Sequence, residues 1–117
     1  MTQTGSFTTT ISGDTTIVRL PDPTLFDSPL IPQRQVELVE IVTGSPASRV
    51  ILDLSTIDFV CSTGLGMLVT VLKNAKSQSK TFELCAPQPQ VLEVLRVTMF
   101  DRLFQIHDSL EIATALS

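Results

Sequence analysis

Hydrophobic and polar positions alternate between two spacings along this chain. Ser6 to Ile11 and Thr15 to Leu20 are β-branched runs around Ser12-Gly13-Asp14. That spacing predicts an N-terminal hairpin with glycine in its turn. Pro21-Asp22-Pro23 stops the second strand. Asp27 and Ser28 offer helix caps before Pro29. From Gln33 to Val42 the apolar residues Val36, Leu38, Val39, Ile41 and Val42 fit a helix that ends near Thr43-Gly44.

Arg49 to Leu54 is a short apolar run between turn signals, which predicts a central parallel strand buried on both faces. A loop carrying Ile57, Phe59 and Val60 leads to a helix from about Ser62 to Ser77. Leu65, Leu68, Val69, Leu72 and Ala75 share one face of it. Lys73 and Lys76 lie near its C-terminus, where the helix dipole favours positive charge. Thr81 to Cys85 predicts a further strand, and Pro87 and Pro89 open a helix holding Val91, Leu92, Val94 and Leu95. Leu103 to Ile106 predicts a last short strand. Asp108-Ser109-Leu110-Glu111 then reads as a cap, with Asp108 as acceptor, before a helix running to about Leu116. The order ββαβαβαβα implies an α/β fold with parallel, right-handed crossovers.

The length of 117 residues suits a single domain that buries its own core. Hydrophobic residues make up 43% of the chain, and the mean hydropathy of +0.31 hints that some apolar surface meets a partner. No apolar run is long enough to span a membrane, and Met1 to Thr10 is polar and lacks the pattern of a signal peptide. A cytoplasmic location and no membrane partner are expected. The net charge of -4 disfavours nucleic acid, whose phosphates need a basic face. No Trp or Tyr is present to stack bases. Cys61 and Cys85 lie far apart without a Cys-x-x-Cys, so neither a disulfide nor a zinc site is expected.

The candidate chemistry sits in Cys61-Ser62-Thr63-Gly64-Leu65-Gly66. A strand-loop-helix junction in a parallel sheet points to the carboxyl edge, where such folds keep their sites. The first turn of a helix has N–H groups without partners, and they favour an anion. Ser62 can therefore cap the helix, or it can carry a phosphate. The P-loop pattern and the Gly-x-Ser-x-Gly nucleophile elbow are both missing. His107, the one histidine, falls in a predicted loop and reads as solvated. A Cys61–His107 dyad has no evident third group to orient it. Cys61 could alternatively serve as a redox-sensitive thiol at a helix N-terminus. Asp53 reads as a strand end that hydrogen-bonds a nearby loop, and one of Phe59 and Val60 belongs to the core.

Four stretches resemble the STAS domain of anti-sigma factor antagonists and sulfate-transporter tails. They are Val50-Ile51-Leu52-Asp53-Leu54, Phe59-Val60-Cys61-Ser62-Thr63-Gly64-Leu65-Gly66, Thr98-Met99-Phe100-Asp101-Arg102-Leu103-Phe104 and Asp108-Ser109-Leu110-Glu111. The likeness runs from about Thr15 to Leu116, with residues 1–14 a tail and first strand. It implies a small mixed sheet of about four or five strands, with about four helices mostly on one side. It also implies a bacterial, non-enzymatic binding module without cofactor or metal, monomeric or weakly dimeric. Such a module sequesters a serine-kinase anti-sigma factor while unphosphorylated. The kinase phosphorylates Ser62, or alternatively its neighbour Thr63, and a metal-dependent serine phosphatase reverses this. The implied partner surface is Phe59, Val60, Cys61, Ser62, Thr63, Gly64, Leu65 and Gly66. A non-phosphorylated scaffold or sensor-complex subunit is the alternative. Two departures stand out: Pro21 to Asp27 replaces the family's usual turn, and Cys61 stands where the family usually has aspartate.

Overall fold

The structure is a computed structural model that describes residues 2–4, 7–20 and 28–115. Strands β1 (Thr2–Thr4), β2 (Phe7–Ser12) and β3 (Thr15–Arg19) come first, then helix α1 (Ile31–Gly44) and β4 (Arg49–Asp53). Helix α2 (Ser62–Ser77), β5 (Thr81–Cys85), α3 (Pro89–Val97), β6 (Ile106–His107) and α4 (Leu110–Ala115) follow. The six strands form one sheet in sequence order. β1, β2 and β3 pair antiparallel, and β3 to β6 pair parallel. The mixed α/β sheet with an N-terminal hairpin and parallel crossovers is the expected architecture. β1 is an added edge strand, built from a Thr-Gln-Thr run too short to signal itself.

The hairpin turns at Gly13, whose φ of 60° suits a residue without Cβ. Alternation along the strands then sorts the two faces. Val18, Leu20, Val50, Leu52, Leu54, Phe82 and Leu84 form one apolar face with Leu38 and Val42 of α1, Leu68 and Val71 of α2, and Val91 and Leu95 of α3. The other face holds Ile51 and Cys85 against Ala113 of α4. Val50–Leu54 is thus buried on both sides, as the short apolar run predicts.

α1 starts two residues earlier than its periodicity suggests. A 3₁₀ turn over Ser28–Leu30 leads into it, and Pro32 sits in its first turn, where a missing N–H costs nothing. Its far end is capped from outside. Lys80 Nζ donates to the carbonyls of Val42 (2.9 Å), Thr43 (3.4 Å) and Ser45. The last strand begins later than expected: Phe100–Arg102 is a 3₁₀ turn, and β6 is Ile106–His107. Phe104 leaves that strand to pack edge-on against Phe82, with ring centroids 6.1 Å apart. Ser109, not Asp108, caps α4, because its Oγ accepts from the Ile112 N–H at 3.1 Å. The Pro21-Asp22-Pro23 stop, the Asp27 cap and Leu116 lie outside the described residues.

Candidate functional site

β4 delivers the chain to the carboxyl edge of the sheet, and a short loop carries it to α2. The loop is pinned at several points. The Leu54 N–H donates to the Cys85 carbonyl (2.9 Å), and the Ile57 N–H to the Leu54 carbonyl (3.0 Å). Thr56 Oγ1 donates to the Leu20 carbonyl (2.7 Å), and Gln88 Nε2 to the Ser55 carbonyl (2.8 Å). Asp53 Oδ1 accepts from the Ser55 N–H at 2.9 Å, the strand-end role read from the sequence. Its other oxygen pairs with Arg19 Nε at 3.0 Å.

Ile57 and Val60 enter the core from this loop, while Asp58 and Phe59 face outward. Phe59 is 63% exposed, so Val60 is the core member of the pair and Phe59 the surface one. Fully burying a side chain of this size is worth about 1.5–3 kcal/mol. Phe59, 63% exposed on an otherwise anchored loop, leaves the larger part of that free energy to a binding partner.

Cys61 occupies the N-cap of α2, half-buried, with extended backbone (φ -94°, ψ 167°) and no side-chain cap bond. Its carbonyl accepts the Leu65 N–H at 3.1 Å. Ser62 is therefore the first residue of the helix and not its cap, which removes the capping role that its sequence position allowed. Ser62 and Thr63 are both exposed. The first turn of α2 has no acidic residue, so nothing there opposes an anion. Gly64 and Leu65 are buried and Gly66 is exposed, with open space where a Cβ would stand. Within Phe59–Gly66, then, Phe59, Ser62, Thr63 and Gly66 reach the surface. Val60, Gly64 and Leu65 support them from below and offer no contact area of their own.

His107 is not a solvated loop residue. It lies in β6, 5% exposed, with Nε2 2.7 Å from Glu83 Oε1. A carboxylate only accepts, so Nε2 carries the proton and donates. Arg49 meets the same carboxylate through Nε (2.8 Å) and Nη2 (2.7 Å), and Thr81 Oγ1 donates to it at 3.0 Å. Burial pushes the Glu83 carboxyl up, but the bonds from Arg49, His107 and Thr81 outweigh that and hold it below the usual carboxylate range. His107 is committed to this cluster, so no Cys61–His107 dyad is assembled. Cys85 is buried, and burial pushes its thiol up to about 12. The sequence held one sign of this cluster: a glutamate inside the apolar run Thr81–Cys85 must find partners.

The STAS domain family model matches residues 6–113. Among curated relatives, BtrV of Bordetella bronchiseptica, named as a candidate anti-sigma factor antagonist, is 34% identical over 67 residues, covering 57% of this chain and 58% of that protein. The chain spans about 56% to 58% of the length of such relatives. Among solved structures, a candidate anti-sigma factor antagonist from Thermotoga maritima superimposes with a TM-score of 0.83. It is 23% identical, and the match covers 95% of this chain and 93% of that one. The anti-sigma factor antagonist SpoIIAA in its unphosphorylated form gives a TM-score of 0.73 at 16% identity, over 92% of each chain. At such identities the two structures establish a shared fold.

Proposed function

This chain belongs to the STAS domain family, and we propose that it is an anti-sigma factor antagonist switched by phosphate on Ser62. In this reading it is a binding module and not an enzyme. Its partner is a serine-kinase anti-sigma factor, held while Ser62 carries a free hydroxyl, and a metal-dependent serine phosphatase restores that state. The observation that carries the proposal is the pairing of exposed Phe59 with exposed Ser62 on one anchored loop and helix start. Phe59 supplies apolar area for a partner, and Ser62 stands at its rim.

Phosphate on Ser62 would add about 1.5 to 2 negative charges. The free N–H groups of the first turn of α2 stabilise that charge on the isolated chain. A partner packed over Phe59 and Ser62 would have to desolvate it, which costs far more than the hydroxyl. The free state therefore tolerates the phosphate and the complex does not, which is what a switch requires. Cys61 in the family's aspartate position supports a second reading, a scaffold or sensor-complex subunit that is never phosphorylated. Cys61 also removes a charge that would repel the phosphate.

Intact mass after incubation with the cognate kinase and ATP separates the two readings. Wild type gains one phosphate, and Ser62→Ala gains none. Phosphate that persists in Ser62→Ala moves the acceptor to Thr63. A wild type that binds the kinase yet stays unmodified favours the scaffold. Phe59→Ala keeps the fold but weakens the complex at least about tenfold, or 1.4 kcal/mol.

A further inference from the structure

Between β2 and the end of α1 the fold leaves an apolar groove uncovered. One face of β2 carries Phe7, Thr9 and Ile11, and burial falls along that row. Phe7 is fully buried, Thr9 half-buried and Ile11 62% exposed. Thr16 of β3 pairs with Ile11. Beside them, Ile41, Gly44 and Pro46 help to line a groove of about 310 Å³. Its walls are tied together. Buried Thr16 has its Oγ1 2.7 Å from Ser45 Oγ, and the Ser45 N–H donates to the Ile41 carbonyl (3.0 Å). The groove is thus formed before any partner arrives. It lies at the opposite end of β4 from the Ser62 helix, because Gly44–Pro46 precede that strand and Ser62 follows it.

One charge stands on this groove. Exposed Glu40 lines it, and no Lys or Arg does. Among the described residues no cation pairs with Glu40. Arg34 pairs with Glu37, and Lys80 donates to the carbonyls of Val42, Thr43 and Ser45. The last turn of α1 holds no basic residue. We propose that the groove docks a basic segment of a partner protein. An arginine or lysine of that segment lays its apolar stem against Ile11 and Ile41 and sets its charge on Glu40, as long cationic side chains do at such surfaces. A neighbouring apolar side chain fills the rest of the groove. Charge selects this occupant over others. An acidic segment is repelled by Glu40 and by the net charge of -4. A wholly apolar one would leave the Glu40 carboxylate desolvated without a partner. The contact is small beside a standard interface, so it is weak by itself. It does not rest on the proposed Ser62 switch and stays open in both states of it.

Titration of the full chain with short capped peptides, followed by NMR, tests this. Acetyl-Arg-Leu-Arg-Leu-Arg-amide moves the methyl signals of Ile11 and Ile41 and the amide of Gly44. The peptides with Glu for Arg, or with Ser for Leu, bind at least about tenfold more weakly. Ile11 is exposed, so Ile11→Ser keeps the fold, and it weakens binding about tenfold. Glu40→Gln weakens it about threefold, the size of an exposed ion pair, and lessens its dependence on salt. Ser62→Asp leaves it unchanged. No shift at the groove up to about 5 mM of the Arg-Leu peptide overturns the proposal. So does equal binding of the acidic peptide, or an affinity that Ile11→Ser and Glu40→Gln both leave unchanged. Shifts confined to Phe59–Gly66 would place the basic peptide at the carboxyl edge and overturn it equally.

Discussion

At the scale of single residues, the chain separates groups that support from groups that are presented. Ile57 and Phe59 lie two apart on one loop, and one is fully buried while the other is 63% exposed. The two cysteines divide in the same way. Cys61 is half-buried at a helix start, and Cys85 is buried with its thiol pushed up to about 12. The thiolate is the reactive form, so Cys85 is inert in the folded chain. Maleimide labelling followed by peptide mapping should modify Cys61 in the native protein and Cys85 only after unfolding. Equal labelling of both under native conditions would contradict the described packing. The exposed Ser62 was legible in the sequence because a turn and a helix start determine it locally. The fate of His107 was not, because its partner Glu83, and the Arg49 that shares that carboxylate, lie on other strands, and nothing local to a lone histidine announces them.

At the scale of elements, strands and helices with strong periodicity read directly from the sequence. α2 and β5 occupy the residues their patterns predict, Ser62–Ser77 and Thr81–Cys85. Ends set by long-range bonds read less well. α1 closes on the ammonium of Lys80, far along the chain, which answers carbonyls that no later turn of helix can satisfy. Lys80→Met keeps most of the apolar stem and removes the donors. It should cost about 1.5–3 kcal/mol in urea unfolding, the range for bonds to a charged group. A change below about 0.5 kcal/mol, typical of a neutral surface substitution, would show that water serves those carbonyls equally well. The first turn of α1 was blurred by Pro29 and Pro32. Prolines stop helices in their interior but fit their start, and the pattern alone does not say which applies.

At the scale of the whole molecule, the sheet divides its work between its two faces. One face is apolar and carries α1, α2 and α3. The other holds the Arg49–Glu83–His107 cluster on three adjacent strands and ties β6 to the sheet. Glu83 has a folded pKa below its ordinary value of 4.5. Its contribution is therefore complete above that value and is lost as pH falls through the depressed one. Unfolding free energy measured from pH 7 to pH 2 should fall on the acid side. Glu83→Gln should lower stability at pH 7 and flatten that fall; an unchanged acid slope would show that Glu83 does not drive it. The Ser62 hydroxyl and the exposed Phe59 follow β4 at the carboxyl edge of the sheet. The proposed switch sits at that edge. The most direct measurement is the affinity of the cognate serine-kinase anti-sigma factor for the wild-type chain, for its Ser62-phosphorylated form and for Ser62→Asp, by calorimetric titration. A phosphate switch at Ser62 requires the unphosphorylated chain to bind at least about tenfold more tightly than either charged form, a difference of about 1.4 kcal/mol. Equal affinity of all three forms would contradict it.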